Sequence, residues 1–189
     1  MTKSGGKYGE GREALLRATI AVVARDGLRG FTYRAVAREA GVSNTLIAHH
    51  FGSADALLLA AFELAAVTPY SAGVDEGNSD LDQFARNVPQ TVLLGPELQV
   101  FQYIILIESR RDPALRPLVE KIYDTYRNAV RRELMRLGWD EPTDALAAGI
   151  FAMVDGLILQ QIVFGNVART EDALERLRQL LADAATARG

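Results

Sequence analysis

Residues 32–53 read TYRAVAREAGVSNTLIAHHFGS. Two short helical runs meet at Ala40-Gly41-Val42-Ser43, and the positions around that junction each answer a separate physical demand. Ala37 is small where two helices would cross. Gly41, four residues on, can take the positive φ that a tight turn between helices requires. Val36 and Ala40 give the first run a side to bury, while Val42 and Ile47 are apolar where the second must anchor. Thr32 and Ser43 stand at the two helix starts, where a hydroxyl can accept from a free backbone N–H. The second run then turns Asn44, Thr45, Ala48 and His49 to solvent. These side chains are short, and several can hydrogen-bond, as groups that reach base edges and phosphates at close range must. The layout is that of a helix-turn-helix; the alternative is an αα-corner with no partner.

Outward from this stretch the chain reads helical. REALLRATIAVVARDG, upstream, has one broad apolar face containing Leu15, Leu16, Ile20, Val22 and Val23, and Gly27 supplies its stop. Ser53 can cap a helix through about Val67. TPYSAGVDEGNSD (68–80) is a breaker cluster that separates a small head from a larger body. The body offers segments over 80–94, kinked or split by Pro89, 96–111, 113–137 with Gly138 at its end, 143–165 and 171–187. No run has the period-2 alternation of a strand. The expected fold is all-α: an N-terminal three-helix helix-turn-helix head and a C-terminal helical bundle, about nine helices in all. The expected division is residues 1–52 for the arm and DNA-binding head and 53–189 for the body. The polar, glycine-rich start MTKSGGKYGEGR has no apolar core and reads as a disordered arm, not a signal peptide.

Composition excludes several classes. The 189 residues include no cysteine, so disulfides, thiolate zinc sites and thiol catalysis are ruled out, and a cytoplasmic location is expected. The net charge of −3 hides an asymmetry: residues 1–54 carry eight Lys/Arg against four Asp/Glu, and the remainder 13 against 20. A basic first quarter on an acidic body suggests a local polyanion site; the alternative is a solvated helix surface. The chain's two histidines are adjacent, about 100° apart on a helix, and so poorly set to chelate one ion. No metal and no cofactor are expected. Without a Ser-His-Asp pattern or a glycine-rich phosphate loop, an enzyme is not expected either. The apolar run 145–165 carries Asp155 at its centre, which argues against a membrane span and for a helix between protein neighbours. Its small residues Ala145, Gly149, Ala152 and Gly156 form a stripe along which another helix can approach closely.

TYRAVAREAGVSNTLIAHHFGSADALL, preceded by REALLRATIAVVARDG, resembles the DNA-binding head of TetR-family transcriptional regulators over about residues 12–67. The matching places are Thr32, Val36-Ala37, Ala40-Gly41-Val42-Ser43, His50-Phe51, Ser53 and Leu57-Leu58. The variant Leu46 to Phe51 is most similar to the betaine- and pyrimidine-responsive branches. Beyond the head, the resemblance lies in helix layout and in DGLILQQ. It implies that Asn44 and Thr45 reach bases and that His50 and its neighbours hold phosphates, with His49 near the DNA. Thr32, Tyr33, Arg34, Ser43 and Ala48 complete the expected DNA-facing set. Two departures matter. The family often carries Tyr or Arg at the place of Ala48 and Lys at the place of Ala54, both contacts to the DNA backbone. Affinity then shifts to Arg34, to Lys3 and Lys7 of the arm, and to the start of the fourth helix.

The resemblance also implies a body that binds a small molecule and a second copy of the chain. Phe101, Gln102, Tyr103 and Ile107 on one helix, Tyr123 and Tyr126 on the next, and Asp155 are the pocket candidates. Plain core packing is the alternative for each of them. For the dimer, the small stripe is joined by Leu174, Leu177 and Leu181, an apolar seam on an otherwise charged helix. The two seams could instead satisfy each other within one chain. The expected function is a homodimeric, ligand-responsive repressor released from a palindromic double-stranded DNA operator by a small molecule. The competing readings are a helical-bundle ligand-binding protein or enzyme whose corner is only structural, and an architectural DNA-binding protein without a ligand.

Overall fold

The computed structural model describes residues 5–67 and 84–187. Among these residues there are nine α-helices and no strand: α1 (Gly5–Gly30), α2 (Tyr33–Ala40), α3 (Asn44–Phe51), α4 (Ala54–Val67), α5 (Val88–Leu94), α6 (Pro96–Glu108), α7 (Arg116–Arg136), α8 (Asp144–Phe164) and α9 (Val167–Thr186). The helices gather into two compact units. One holds α1 to α4 with residues 97–119, and the other holds α5, residues 120–136 of α7, α8 and α9.

In the first unit α1 packs on α2, α3 and α4, and α3 packs on both α2 and α4. Leu15, Val22 and Val23 of α1, Val36 of α2, Ile47 of α3 and Leu57 of α4 have no accessible surface. Burying side chains of this size stabilises by about 1.5–3 kcal/mol each. The junction follows from its residues. Gly41 closes α2 in the left-handed region at φ 67°, and its N–H bonds to the last carbonyls of α2. Thr32 accepts from the Ala35 N–H at 3.1 Å, and Ser53 from the Ala56 N–H at 3.1 Å, as their positions predict. Ser43 departs from expectation. Its hydroxyl shares a hydrogen bond with that of Thr45, at 2.8 Å, and leaves the backbone of α3 uncapped.

Other boundaries also shift. The arm is helical from Gly5, so the expected disorder does not extend over Lys7, and Lys3 lies outside the described residues. Gly27 interrupts α1 where a stop was expected, at φ 69°. The breaker cluster 68–80 lies outside the described residues. Pro89 kinks nothing; it sits in the first turn of α5, where its missing N–H costs no bond. After Asp112, whose carboxylate accepts from Ala114 N–H at 2.9 Å, a turn delays α7 to Arg116. Asn166 caps α9 from the Arg169 N–H at 3.0 Å, so that helix begins four residues before the expected 171.

The second unit holds α5 through side chains. Buried Gln161 of α8 donates its amide to the Pro89 carbonyl at 2.7 Å, and Arg178 of α9 donates to the Phe84 carbonyl at 3.0 Å.

Gly41 gives the first prediction. A β-branched side chain in the left-handed region is strained by about 1–2 kcal/mol. Gly41→Val should lower the thermal midpoint of the chain by several degrees, and Gly41→Asn by less. Equal midpoints for the valine variant and the parent would contradict the role of this turn.

Candidate functional site

The two helices joined at Gly41 present the expected DNA-facing residues to solvent. Thr32, Arg34, Ser43, Asn44, Thr45, Ala48 and His49 are exposed, and Tyr33 and His50 are half-buried. The pairing of Ser43 with Thr45 restrains the Thr45 hydroxyl before any partner arrives. His49 and His50 meet edge to face, with ring centroids 5.5 Å apart. The His50 imidazole is held below the ordinary histidine range, first by desolvation and then by His49 and the Arg12 cation.

Arg12 is a residue that sequence reading did not single out. Its guanidinium lies over the Phe51 ring, 5.2 Å from the centroid. Beside it, a Cβ on Gly11 would stand 3.3 Å from Leu46 Cδ2, so the missing side chain lets α1 lie close to α3. The signal was an arginine opening the amphipathic part of α1, beside a glycine. Arg17 is paired with Glu13, and Arg25 with Asp26 and Glu39. Arg12, Arg29, Arg34 and Arg38 have no carboxylate partner among the described residues. The start of α4 is a poorer anion site than expected. Ser53 already accepts one of its N–H groups, and Asp55 places a carboxylate in its first turn.

In the second unit three rings and a carboxylate converge. Phe151 of α8 lies 5.2 Å from Tyr123 and 5.7 Å from Tyr126 of α7, between ring centroids. The Tyr123 hydroxyl donates to Asp155, one helical turn from Phe151. Its pKa is raised, first by burial, then by the Asp155 charge and Tyr126. Phe151 and the pocket candidate Tyr126 are buried, so of the three rings only Tyr123 is half-open beside the half-buried carboxylate, an arrangement that favours a cation. Phe151 was not foreseen; its i, i+4 spacing from Asp155 was the available signal. The remaining pocket candidates belong to the first unit. Phe101 has no accessible surface and packs against Phe62, so it is core rather than pocket wall. Gln102 donates to the Ala65 carbonyl at 2.6 Å, Tyr103 is half-buried, and Ile107 faces solvent. Among the described residues no group of three or more His, Asp or Glu is placed to hold a metal ion.

Comparison with known proteins decides the family. Residues 15–61 match the family described as bacterial regulatory proteins, tetR family, and residues 79–185 match the tetracyclin repressor-like C-terminal domain. The chain belongs to the tetR family. It is a ligand-responsive, DNA-binding transcriptional regulator, and the reading of the helix-turn-helix as a structural corner is set aside. The HTH-type transcriptional regulator BetI of Stenotrophomonas maltophilia is 31% identical over 171 residues, which cover 85% of each chain. A transcriptional regulator from Rhodococcus sp. Rha1 shares the fold at a TM-score of 0.75, with 23% identity over 92% of this chain and 96% of that one. A regulator from Saccharomonospora viridis, solved in complex with choline, does so at 0.70, with 23% identity over 93% and 95%.

In this tetR-family regulator the two expected dimer seams fare differently. On α8, Ala145, Gly149 and Ala152 are exposed and Gly156 is half-buried. On α9, Leu174, Leu177 and Leu181 are buried within the chain itself, so that seam is satisfied internally and offers no surface to a partner. Periodicity reveals an apolar face but not what covers it. The exposed apolar residues are instead Met153, Leu159, Val163 and Phe164 of α8 and Leu180 of α9. Gly149, Ala152, Gly156, Leu159 and Val163 recur at steps of three and four, so the small stripe continues as a larger apolar one. By length and composition α8 could cross a membrane. Its other face, with Ile150, Phe151, Val154, Ile158 and Gln161, is buried in its own unit.

The Tyr123 shift gives a prediction with a definite sign. Its raised native pKa contributes stability that is intact below the unfolded value near 10 and is lost as pH climbs from there through the native value. In an alkaline titration followed by tyrosinate absorbance, Tyr123 should ionise above the ordinary tyrosine range. Tyr123→Phe should remove one high-pH step and flatten the loss of stability above pH 10; a titration identical to the parent's would refute the assignment.

Proposed function

We propose that this regulator is a homodimeric repressor that leaves a palindromic operator when a small organic cation binds in its C-terminal body. The reading rests above all on the solvent-facing side of α3, where Asn44, Thr45, Ala48 and His49 stand clear of the core that holds Ile47. Asn44 and Thr45 read base edges. Thr32, Tyr33, Arg34, Ser43, His50 and Arg12 hold the sugar-phosphate backbone, which offsets the contacts that Ala48 and Ala54 cannot make. Residues 1–52 carry this DNA-binding role and 53–189 the ligand and partner roles, in the cytoplasm and without catalysis.

The apolar stripe of α8 supports the pairing. A second copy laid against it along a two-fold axis would cover Val163, Phe164 and Leu159, and would supply the second recognition helix that a palindrome needs. The Tyr123–Tyr126–Phe151 cluster with Asp155 supports a cationic effector, as does the choline bound to the Saccharomonospora viridis regulator. The effector acts by shifting the population of dimers away from those whose two recognition helices match half-sites one helical turn apart.

Selection of bound duplexes from a random pool tests the DNA reading. It should return a palindrome. Asn44→Ala and Thr45→Ala should flatten the preference, at about 1–3 kcal/mol per base contact, whereas Arg34→Ala and Arg12→Ala should weaken all sequences alike. Val163→Glu with Phe164→Glu should give monomers in sedimentation and lose the palindrome. A non-palindromic consensus bound by a monomer would overturn the proposal.

The effector is tested by titrating choline into the protein–operator complex. DNA should be released, and Asp155→Asn should raise the choline required by about tenfold, equivalent to ~1.4 kcal/mol. Release unaffected by Asp155→Asn would remove the cation site from this cluster.

A further inference from the structure

The second unit contains a cleft of about 420 Å3 between the start of α5 and the side of α9 that carries Glu171 and Arg178. None of its lining residues belongs to the Tyr123–Asp155 cluster. It exists because α5 is pinned by side chains. Gln161 holds the Pro89 carbonyl, Arg178 holds the Phe84 carbonyl, and Gln90 donates to Glu171 at 3.2 Å. Pro89 and Leu174 are buried beneath the cleft, and its accessible rim is polar: Arg86, Asn87, Gln90 and Glu171.

The charges around the cleft fall into two classes. Arg178 is committed: its side chain is nearly buried, it holds the Phe84 carbonyl, and Glu175 answers its charge at 2.9 Å. Arg86, at the rim, is exposed and makes no hydrogen bond or ion pair among the described residues. Glu171, opposite, accepts only the Gln90 amide there and has no cation beside it. One guanidinium and one carboxylate therefore face the same cleft without pairing with each other.

From this we infer that the α5–α9 cleft is a second small-molecule site of the regulator, one that takes a small zwitterion such as a free α-amino acid. The ligand's carboxylate meets the planar fork of Arg86, a geometry that guanidinium groups match with two parallel bonds. Its ammonium meets Glu171, and the exposed Asn87 and Gln90 border the rest of the molecule. Ion contacts at exposed groups are individually weak, so binding falls in the ~1 mM range.

Saturation-transfer NMR on the full chain in its native assembly tests this, with glycine, alanine, proline and glutamine as probes and acetate and methylammonium as half-ligands. At least one amino acid should show saturable transfer, more than either half-ligand. Arg86→Gln and Glu171→Gln should each weaken it about two- to fivefold. Both residues are exposed, so helicity by circular dichroism should be unchanged. No transfer to any probe, or transfer indifferent to both variants, would overturn the inference. So would acetate binding as well as the amino acids with Glu171→Gln silent, which describes a plain anion site. Both variants should still release operator DNA with choline, so failure here and failure of the effector reading are separate results.

Discussion

The left-handed turn at Gly41 holds the head's chemistry in place. It sets the direction in which α3 leaves α2, and with it the face of α3 that meets the core. Ile47 goes fully inside, and Asn44, Thr45 and His49 are carried outside. Rotation of α3 by one residue, about 100°, would put Leu46 or Ala48 in the place of Ile47 and turn Asn44, Thr45 and His49 away from their present direction. The exposed Arg25–Glu39 pair that also bridges α1 and α2 contributes little beside this. Backbone conformation and one buried isoleucine set the reading surface; charge only decorates it.

That is also why the head was legible in the amino-acid sequence and the body less so. Gly41, Thr32 and Ser53 each perform a local task that no neighbour can take over, so their identity alone marks the structure. Ser43 misled because a second hydroxyl two residues on competes for its bond. The start of α9 was missed because Asn166 does the capping before any apolar periodicity begins. In the body, Tyr123 and Asp155 lie on different helices, and nothing local announces that they meet. Leu174, Leu177 and Leu181 showed their periodicity plainly, yet the helix that covers them is in the same chain.

The electrostatics of the head are similarly local. In a chain of net charge −3, the proposed DNA contact would use the guanidinium groups that its own carboxylates have left alone. Arg17 and Arg25 are neutralised within α1 and α2, while Arg12 and Arg34 are not. Arg12 is also held over Phe51 rather than left to wander, so in the proposed DNA contact it would lose less side-chain freedom. Counting charges over the first quarter of the chain could not tell the paired arginines from the unpaired ones.

The two-sided apolarity of α8 ties folding to abundance. One face is buried in its own chain, and Val163 and Phe164 on the other are left to water whenever the chain is alone. The proposed dimer would gain stability by mass action as its concentration rises and lose it on dilution. At low copy number a lone chain would then be the species most exposed to proteolysis and non-specific association. Under that proposal a cell would sense the number of regulator molecules through their survival, before any effector or operator is involved.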